Sequence, residues 1–114
     1  MTVGGDHSIA TGSIHGVLSR YQDVKVIWVD AHADILDADQ TDYTGYHGTP
    51  LAHLIGVNDG SKTLRGFEWL KRRLKPQNVV QIGWREFNDL EISTMKRYGV
   101  KYFTPDHIDQ HGIG

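Results

Sequence analysis

The sequence predicts an α/β fold built on a parallel sheet. Short apolar segments of strand length alternate with segments whose apolar residues recur at the 3.6-residue spacing of a helix. Val26–Val29 is apolar at every position, as in strands that are buried on both faces of a parallel sheet. Alternation of strands with helices indicates βαβ units, in which consecutive strands run parallel.

The first half of the chain is predicted to contain two helices and one strand. A helix is expected over residues 6–21, followed by a strand over residues 24–30. The apolar residues that share one face of this helix are Ile9, Ala10, Ile14, Val17, Leu18 and Tyr21. Residues 35–48 lack periodicity and are rich in aspartate and glycine, which predicts a surface loop. A short helix over residues 50–55 begins with proline and ends at Gly56.

The second half is predicted to repeat the alternation. A helix is expected over residues 67–74, ending before the proline at position 76, and a strand over residues 78–84. A fourth helix covers residues 88–98 and is stopped by a glycine, and a strand over residues 100–104 follows. A further helix begins near the last residues of the sequence.

Composition limits the classes of function. With 114 residues the chain has room for one domain at most. A net charge of -2 gives no reason to expect a nucleic acid or a membrane surface as partner. The sequence has no cysteine, which excludes disulfides and thiolate metal sites and fits a reducing compartment. We therefore expect a cytoplasmic protein, with mitochondria as the alternative.

Three residues that can ligate a metal ion follow the apolar strand. Asp30, His32 and Asp34 occupy alternate positions, and alternate side chains of an extended segment face the same way. A cluster of carboxylates and imidazole suits a divalent cation such as Mn²⁺. Without a cation, the two carboxylates would repel each other next to a buried strand. The alternative is a polar turn in which Asp34 caps a following helix.

Polar residues also follow the glycines at two other predicted element boundaries. Gly4 and Gly5 permit a tight turn that places His7 at the start of the first helix. The alternative is that Asp6 or Ser8 caps this helix and that His7 has no functional role. In open α/β sheets, ligands bind at the carboxyl ends of the strands. The segment Trp84-Arg85-Glu86, which follows Gly83, lies at the carboxyl end of the predicted strand over residues 78–84. Beyond it, Asn88 and Glu91 have the spacing of a capping box.

Three motifs together resemble those of the arginase/agmatinase (ureohydrolase) family, in the same order. They are Gly4-Gly5-Asp6-His7-Ser8, Val29-Asp30-Ala31-His32-Ala33-Asp34 and His47-Gly48-Thr49-Pro50. The wider sequence, including Gly12-Ser13-Ile14 and Val80-Gln81-Ile82-Gly83, is most similar to the arginase branch. The resemblance extends over residues 1–114 and implies a partial catalytic domain, the middle portion of a full family member.

The resemblance implies a three-layer α/β/α fold and a centre of two Mn²⁺ ions. His7 and Asp34 would bind one ion and His32 the other, with Asp30 bridging both. His47 corresponds to an active-site histidine that transfers a proton or contacts substrate and product. The remaining metal ligands, and a glutamate that pairs with the guanidinium group, are expected beyond Gly114. The implied reaction converts L-arginine and water to L-ornithine and urea, and the full-length protein is expected to be a homo-oligomer.

The residues expected to contact the amino-acid end of the substrate depart from the arginase pattern. Thr44, Tyr46, Asn88 and Glu91 are the candidate substrate-binding residues. Tyr46 stands where arginases usually have an asparagine, Leu36 or Asp37 replaces a second asparagine, and Asn88 replaces an aspartate. The alternatives are an agmatinase-like hydrolase, which takes a decarboxylated substrate, or a non-catalytic truncated product. We expect the isolated 114-residue chain to be inactive, because four ligands are too few for a two-metal centre.

Overall fold

The computed structural model of the chain describes residues 1–39, 45–58, 66–71 and 73–112. Within these residues, three strands form one parallel sheet in the order β1-β2-β3. The strands are β1 (Val26–Val29), β2 (Val79–Ile82) and β3 (Lys101–Phe103). The predicted α/β class with a parallel sheet is confirmed, and each strand is shorter than the sequence predicted.

Four α-helices accompany the sheet in the described residues. They are α1 (Ile9–Arg20), α2 (Pro50–Ile55), α3 (Asp89–Tyr98) and α4 (Pro105–His111). α1 begins three residues later than predicted, because the preceding segment is a turn in which the Asp6 carboxylate accepts a hydrogen bond from the Ser8 backbone N–H at 2.9 Å. α2 has the predicted bounds, and Gly56 ends it with a left-handed φ of 86°.

The predicted helix over residues 67–74 is wrong for the part of it that the structure describes. Hydrogen bonds from Leu70 N to Phe67 O and from Lys71 N to Trp69 O, both 2.9 Å, form turns. Leu74 N then donates to Leu54 O at 2.9 Å, which ties this segment to the end of α2. Leu70 and Leu74 are both buried, so this segment contributes to the core without being helical in its described part.

The two faces of the sheet differ in burial. Trp28 of β1 lies opposite Gln81 of β2 in the ladder, and both side chains are buried. On the other face, Ile27 and Val29 remain 71% and 76% exposed. The expectation that β1 is buried on both faces is therefore wrong in this structure. β1 is an edge strand, and its alternate side chains point to opposite faces of which only one is covered.

The core supports the loops that leave the sheet. Its largest fully buried side chains belong to residues of these loops as well as to helices and strands: Trp84, Ile35, Leu51, Leu54, Leu74, Met95, Gln81, Val79 and Pro50. Because β1 and β2 are parallel, the segments that follow them leave at the same edge of the sheet. None of the described helices combines the length and apolar character that crossing a membrane requires.

Candidate metal centre

The loop after β1, residues 30–34, is held by backbone contacts at both ends. Asp30 N donates to Ile82 O of β2 at 3.0 Å. Asp34 O accepts from Leu51 N at 2.9 Å and from Ala52 N at 3.2 Å, which satisfies two N–H groups at the start of α2. Asp34 has a left-handed φ of 52°, an uncommon conformation for a residue other than glycine. Asp34 is not the N-cap residue of α2, which is Thr49; it contacts the start of this helix only through its backbone carbonyl.

The side chains of His7, Asp30 and Asp34 converge at this edge. His7 Nδ1 lies 2.7 Å from Asp34 Oδ2 and 3.1 Å from Asp30 Oδ2. One ligand atom from each of the three residues lies within 4.8 Å of the others, so the group could hold a metal ion. The His7 ring packs against Trp28 of β1 with ring centroids 5.1 Å apart, and this contact fixes the imidazole over the strand end.

The state of the Asp34 carboxylate fits a cation at this point. Asp34 Oδ2 is buried and has no hydrogen bond of normal geometry from any described residue, although His7 Nδ1 is close. Burial, followed by the negative charge of Asp30, raises the pKa of Asp34 to about 6. A divalent cation would relieve both effects, because it supplies a positive partner to two carboxylates that otherwise repel each other.

His32 contacts the Asp30 carboxylate at the oxygen that His7 does not face. Its Nδ1 lies 3.2 Å from Asp30 Oδ1, whereas His7 faces Oδ2. His32 is thus not part of the three-residue group, and Asp30 lies between the two histidines. His32 Nε2 is 3.4 Å from Glu86 Oε2, a contact that no sequence pattern predicts. Burial alone would lower the pKa of His32, but the hydrogen bond to Asp30 and the charge of Glu86 raise it.

A cavity of about 620 Å³ opens over these residues. It is lined by His7, His32, Asp34, Leu36, His47, Gly48, Glu86, Phe87, Asn88 and Glu91. His47, the predicted catalytic residue, lies in a 3₁₀ turn over residues 46–48, with its Nδ1 3.8 Å from Asp6 Oδ2. The described lining contains three carboxylates and no lysine or arginine, which favours a cationic ligand.

The predicted substrate-binding residues are only partly brought together. Asn88 and Glu91 line the cavity and also cap α3: Glu91 N donates to Asn88 Oδ1 at 2.8 Å, and Asn88 Nδ2 donates to Glu91 Oε2 at 2.6 Å. Tyr46 is half exposed and is not part of the described lining. Thr44 lies outside the described residues. Phe87 follows a strand end but was not predicted to line the cavity.

Glu91 provides a test of the electrostatics of the cavity. Burial, followed by the charge of Asp34, raises its pKa from 4.5 to about 7, so the folded chain holds this proton more tightly than the unfolded chain. The associated stability is present below pH 4.5 and is lost as pH rises through 7. We expect Glu91→Gln to raise the free energy of unfolding of the metal-free chain at pH 8 by roughly 2 kcal/mol.

Urea denaturation at pH 5 and pH 8 measures this effect. Glu68→Gln is the matched control, because Glu68 is fully exposed. The electrostatic interpretation is wrong if Glu91→Gln and Glu68→Gln change the pH dependence of stability equally.

Comparisons with known proteins agree over the whole chain. The model of the Arginase family matches residues 1–114. The chain is 39% identical over 115 residues to "Arginase" of Glaciozyma antarctica, covering 100% of this chain and 33% of that protein. It is 44% identical over 114 residues to "Arginase-2, mitochondrial" of Mus musculus, covering 99% of this chain and 32% of that protein.

The fold agrees with that of a solved relative. The crystal structure of the cold-adapted arginase from Glaciozyma antarctica matches with a TM-score of 0.84 at 39% identity, covering 97% of this chain and 39% of that one. The chain thus spans about a third of the length of the two curated relatives.

Proposed function

The chain belongs to the arginase family, and we propose that it forms part of a manganese-dependent hydrolase that converts L-arginine and water to L-ornithine and urea. The observation that carries the proposal is the convergence of His7, Asp30 and Asp34 beneath an acidic cavity. The names of the relatives support arginine as the substrate.

We assign the metal ligands from the division of contacts around Asp30. His7 contacts Oδ2 of Asp30 and Oδ2 of Asp34, and His7 and Asp34 would hold one ion; His32 contacts Oδ1 of Asp30 and would hold the other. Bound divalent cations would lower the pKa of water and so supply a nucleophile at neutral pH. Carboxylate and imidazole ligands suit Mn²⁺. Further ligands would come from other parts of a polypeptide of family length.

The side chains of the cavity have separate tasks in this proposal. With Asp34 assigned to the metal, Glu86 and Glu91 are the lining carboxylates that would attract a cationic substrate. Hydrolysis breaks the bond between the guanidino carbon and the chain nitrogen, which must gain a proton to leave as an amine. His47 lines the cavity and is the side chain that we propose to transfer this proton or to contact the substrate.

An agmatinase-like hydrolase is the second candidate. Leu36 and Phe87 line the cavity and can form no hydrogen bond with an α-carboxylate through their side chains. The side chain of Asn88 is hydrogen-bonded to Glu91 at the start of α3, which leaves it less able to bind the amino-acid end of arginine. A decarboxylated substrate would avoid both difficulties.

We further propose that residues 1–114 are one portion of a larger catalytic domain. The exposed Ile27 and Val29 would then be covered by polypeptide that this chain does not contain. On this view the complete protein is a cytoplasmic homo-oligomer and the isolated chain is an inactive product. The mouse relative, in contrast, is named as mitochondrial.

The proposal is tested by urea release. A polypeptide of family length that contains these residues is assayed with Mn²⁺ against arginine and against agmatine. We expect urea from arginine, and none from the 114-residue chain. Preference for agmatine would favour the second candidate. Calorimetric titration with Mn²⁺ is the control: if the polypeptide of family length does not bind micromolar metal, both enzyme proposals are wrong.

A further inference from the structure

Gln81 is a polar residue in the middle of the sheet that the proposed chemistry does not use. It lies on the central strand β2, is 0% exposed, and has apolar neighbours on the same strand. An amide in such a position is costly unless its polar atoms are hydrogen-bonded. Its presence therefore requires an explanation from its contacts.

Only one of the two polar side-chain atoms of Gln81 has a hydrogen-bond partner among the described residues. Nε2 donates to the backbone carbonyl of His32 in the 30–34 loop. Oε1 is buried and finds no partner among the described residues. The indole Nε1 of Trp28, the partner of Gln81 in the ladder, is also buried without a partner in the described chain. Packing alone would favour an apolar side chain at this position. The amide adds the hydrogen bond to the backbone of the 30–34 loop.

The hydrogen bond from Gln81 completes a series of contacts with consecutive groups of the loop backbone. Asp30 N donates to Ile82 O, and Ala31 O accepts from both Arg85 N and Glu86 N at 3.0 Å. The next carbonyl, that of His32, is the one that Gln81 holds. The peptide orientation is thereby fixed between Asp30 and Asp34, the two carboxylates whose separation defines the site.

From these contacts we propose that Gln81 is a positioning residue that holds the 30–34 loop in the geometry that binds a divalent cation. This inference rests on the proposed function, since it has an effect only if the loop binds a cation. Gln81 does not touch the cation and acts through the backbone of His32.

The test replaces the amide by a side chain of similar length that cannot donate. We expect Gln81→Met to weaken Mn²⁺ binding by the 114-residue chain about tenfold, the usual effect of removing a group that orients a metal ligand. Binding is followed by the electron paramagnetic resonance signal of free Mn²⁺ at metal concentrations up to millimolar. Urea denaturation of the metal-free variant should give about the same free energy of unfolding, because loss of the hydrogen bond to His32 O is offset by removal of the buried, unsatisfied Gln81 Oε1.

Val79→Ala is the matched control. Val79 is 0% exposed and lies two residues away on the same face of β2, so its truncation should reduce stability and leave the affinity for Mn²⁺ unchanged. A second measurement needs no variant: in the wild-type chain, the side-chain amide protons of Gln81 should exchange slowly with solvent.

The outcomes separate this inference from the proposed function. If the wild-type 114-residue chain does not bind Mn²⁺, the role of Gln81 is wrong, whereas the proposed function is wrong only if the polypeptide of family length also fails to bind the metal. If the wild-type 114-residue chain binds and Gln81→Met binds equally well, only the role of Gln81 is wrong. A Gln81→Met chain that does not fold, or fast exchange of the Gln81 amide protons, would also overturn the role, since the side chain would then be structural or not bonded to the loop.

Discussion

We expect Asp30→Asn to weaken Mn²⁺ binding by about 100-fold or more, since removing even a group that only orients a metal ligand costs about 10-fold to 100-fold. Asp30 is the residue that both histidines contact, His7 through Oδ2 and His32 through Oδ1. Asparagine preserves the shape of the side chain but removes its charge and replaces one oxygen by a nitrogen that cannot ligate. In a polypeptide of family length, release of urea should be lost together with the metal.

The same substitution should not harm the metal-free fold. The charge of Asp30 raises the pKa of Asp34, which means that the two carboxylates repel each other when no cation is bound. Removing one charge should therefore leave the free energy of unfolding unchanged or increase it. Loss of metal with an intact fold would identify Asp30 as a ligand and not as a structural residue.

Metal content and urea denaturation measure the two effects separately. Asp109→Asn, on the exposed surface of α4, makes the same change of charge outside the cavity and is the control. Full metal content and full hydrolysis in Asp30→Asn would reject the assigned metal centre.

The largest loss of stability is expected from Trp84→Ala. Trp84 is 0% exposed, packs edge-on against Tyr102 with ring centroids 4.9 Å apart, and contacts Phe87 at 4.6 Å. Truncation leaves a large cavity between the sheet and the segment that follows β2. We expect a loss of about 4 kcal/mol, which is most of the stability of a small domain.

Trp84 also shapes the cavity above the sheet. Its Nε1 donates to Glu86 O at 2.9 Å, and Glu86 N in turn donates to Ala31 O. Trp84→Phe should keep the contact with Tyr102 and lose this hydrogen bond, at a cost of roughly 2 kcal/mol. Urea denaturation measures both variants, with Trp69→Ala as control because Trp69 is 47% exposed. The prediction is wrong if Trp84→Ala is no more destabilising than Trp69→Ala.

Local sequence pattern predicted only part of the candidate metal site. The positions of Asp30, His32 and Asp34 were predictable, because ligand residues at alternate positions after an apolar run must emerge at the end of a strand. The addition of His7 depended on the resemblance, since 22 residues separate it from Asp30 and no local rule joins them. The contact of Glu86 with His32 was not predicted, because it depends on the pairing of β1 with β2.

The errors have a common origin. Residues 67–74 were predicted to be helical, yet Leu70 and Leu74 are buried without lying in a helix, and Leu74 is hydrogen-bonded to Leu54. The apolar run in β1 indicated burial on both faces, yet one face is open. An apolar residue favours burial of its side chain, but it does not indicate which element the residue belongs to or which layer covers it.

By itself, the sequence determined the class of fold, the order of most elements and the candidate metal ligands at the strand end, because these depend on periodicity and on the chemistry of adjacent residues. Only the tertiary structure decided that His7 reaches Asp34, that Glu91 is buried near Asp34, and that Gln81 holds the loop from within the sheet. These contacts join residues distant in the chain. They arise from strand register and core packing, which no local pattern specifies.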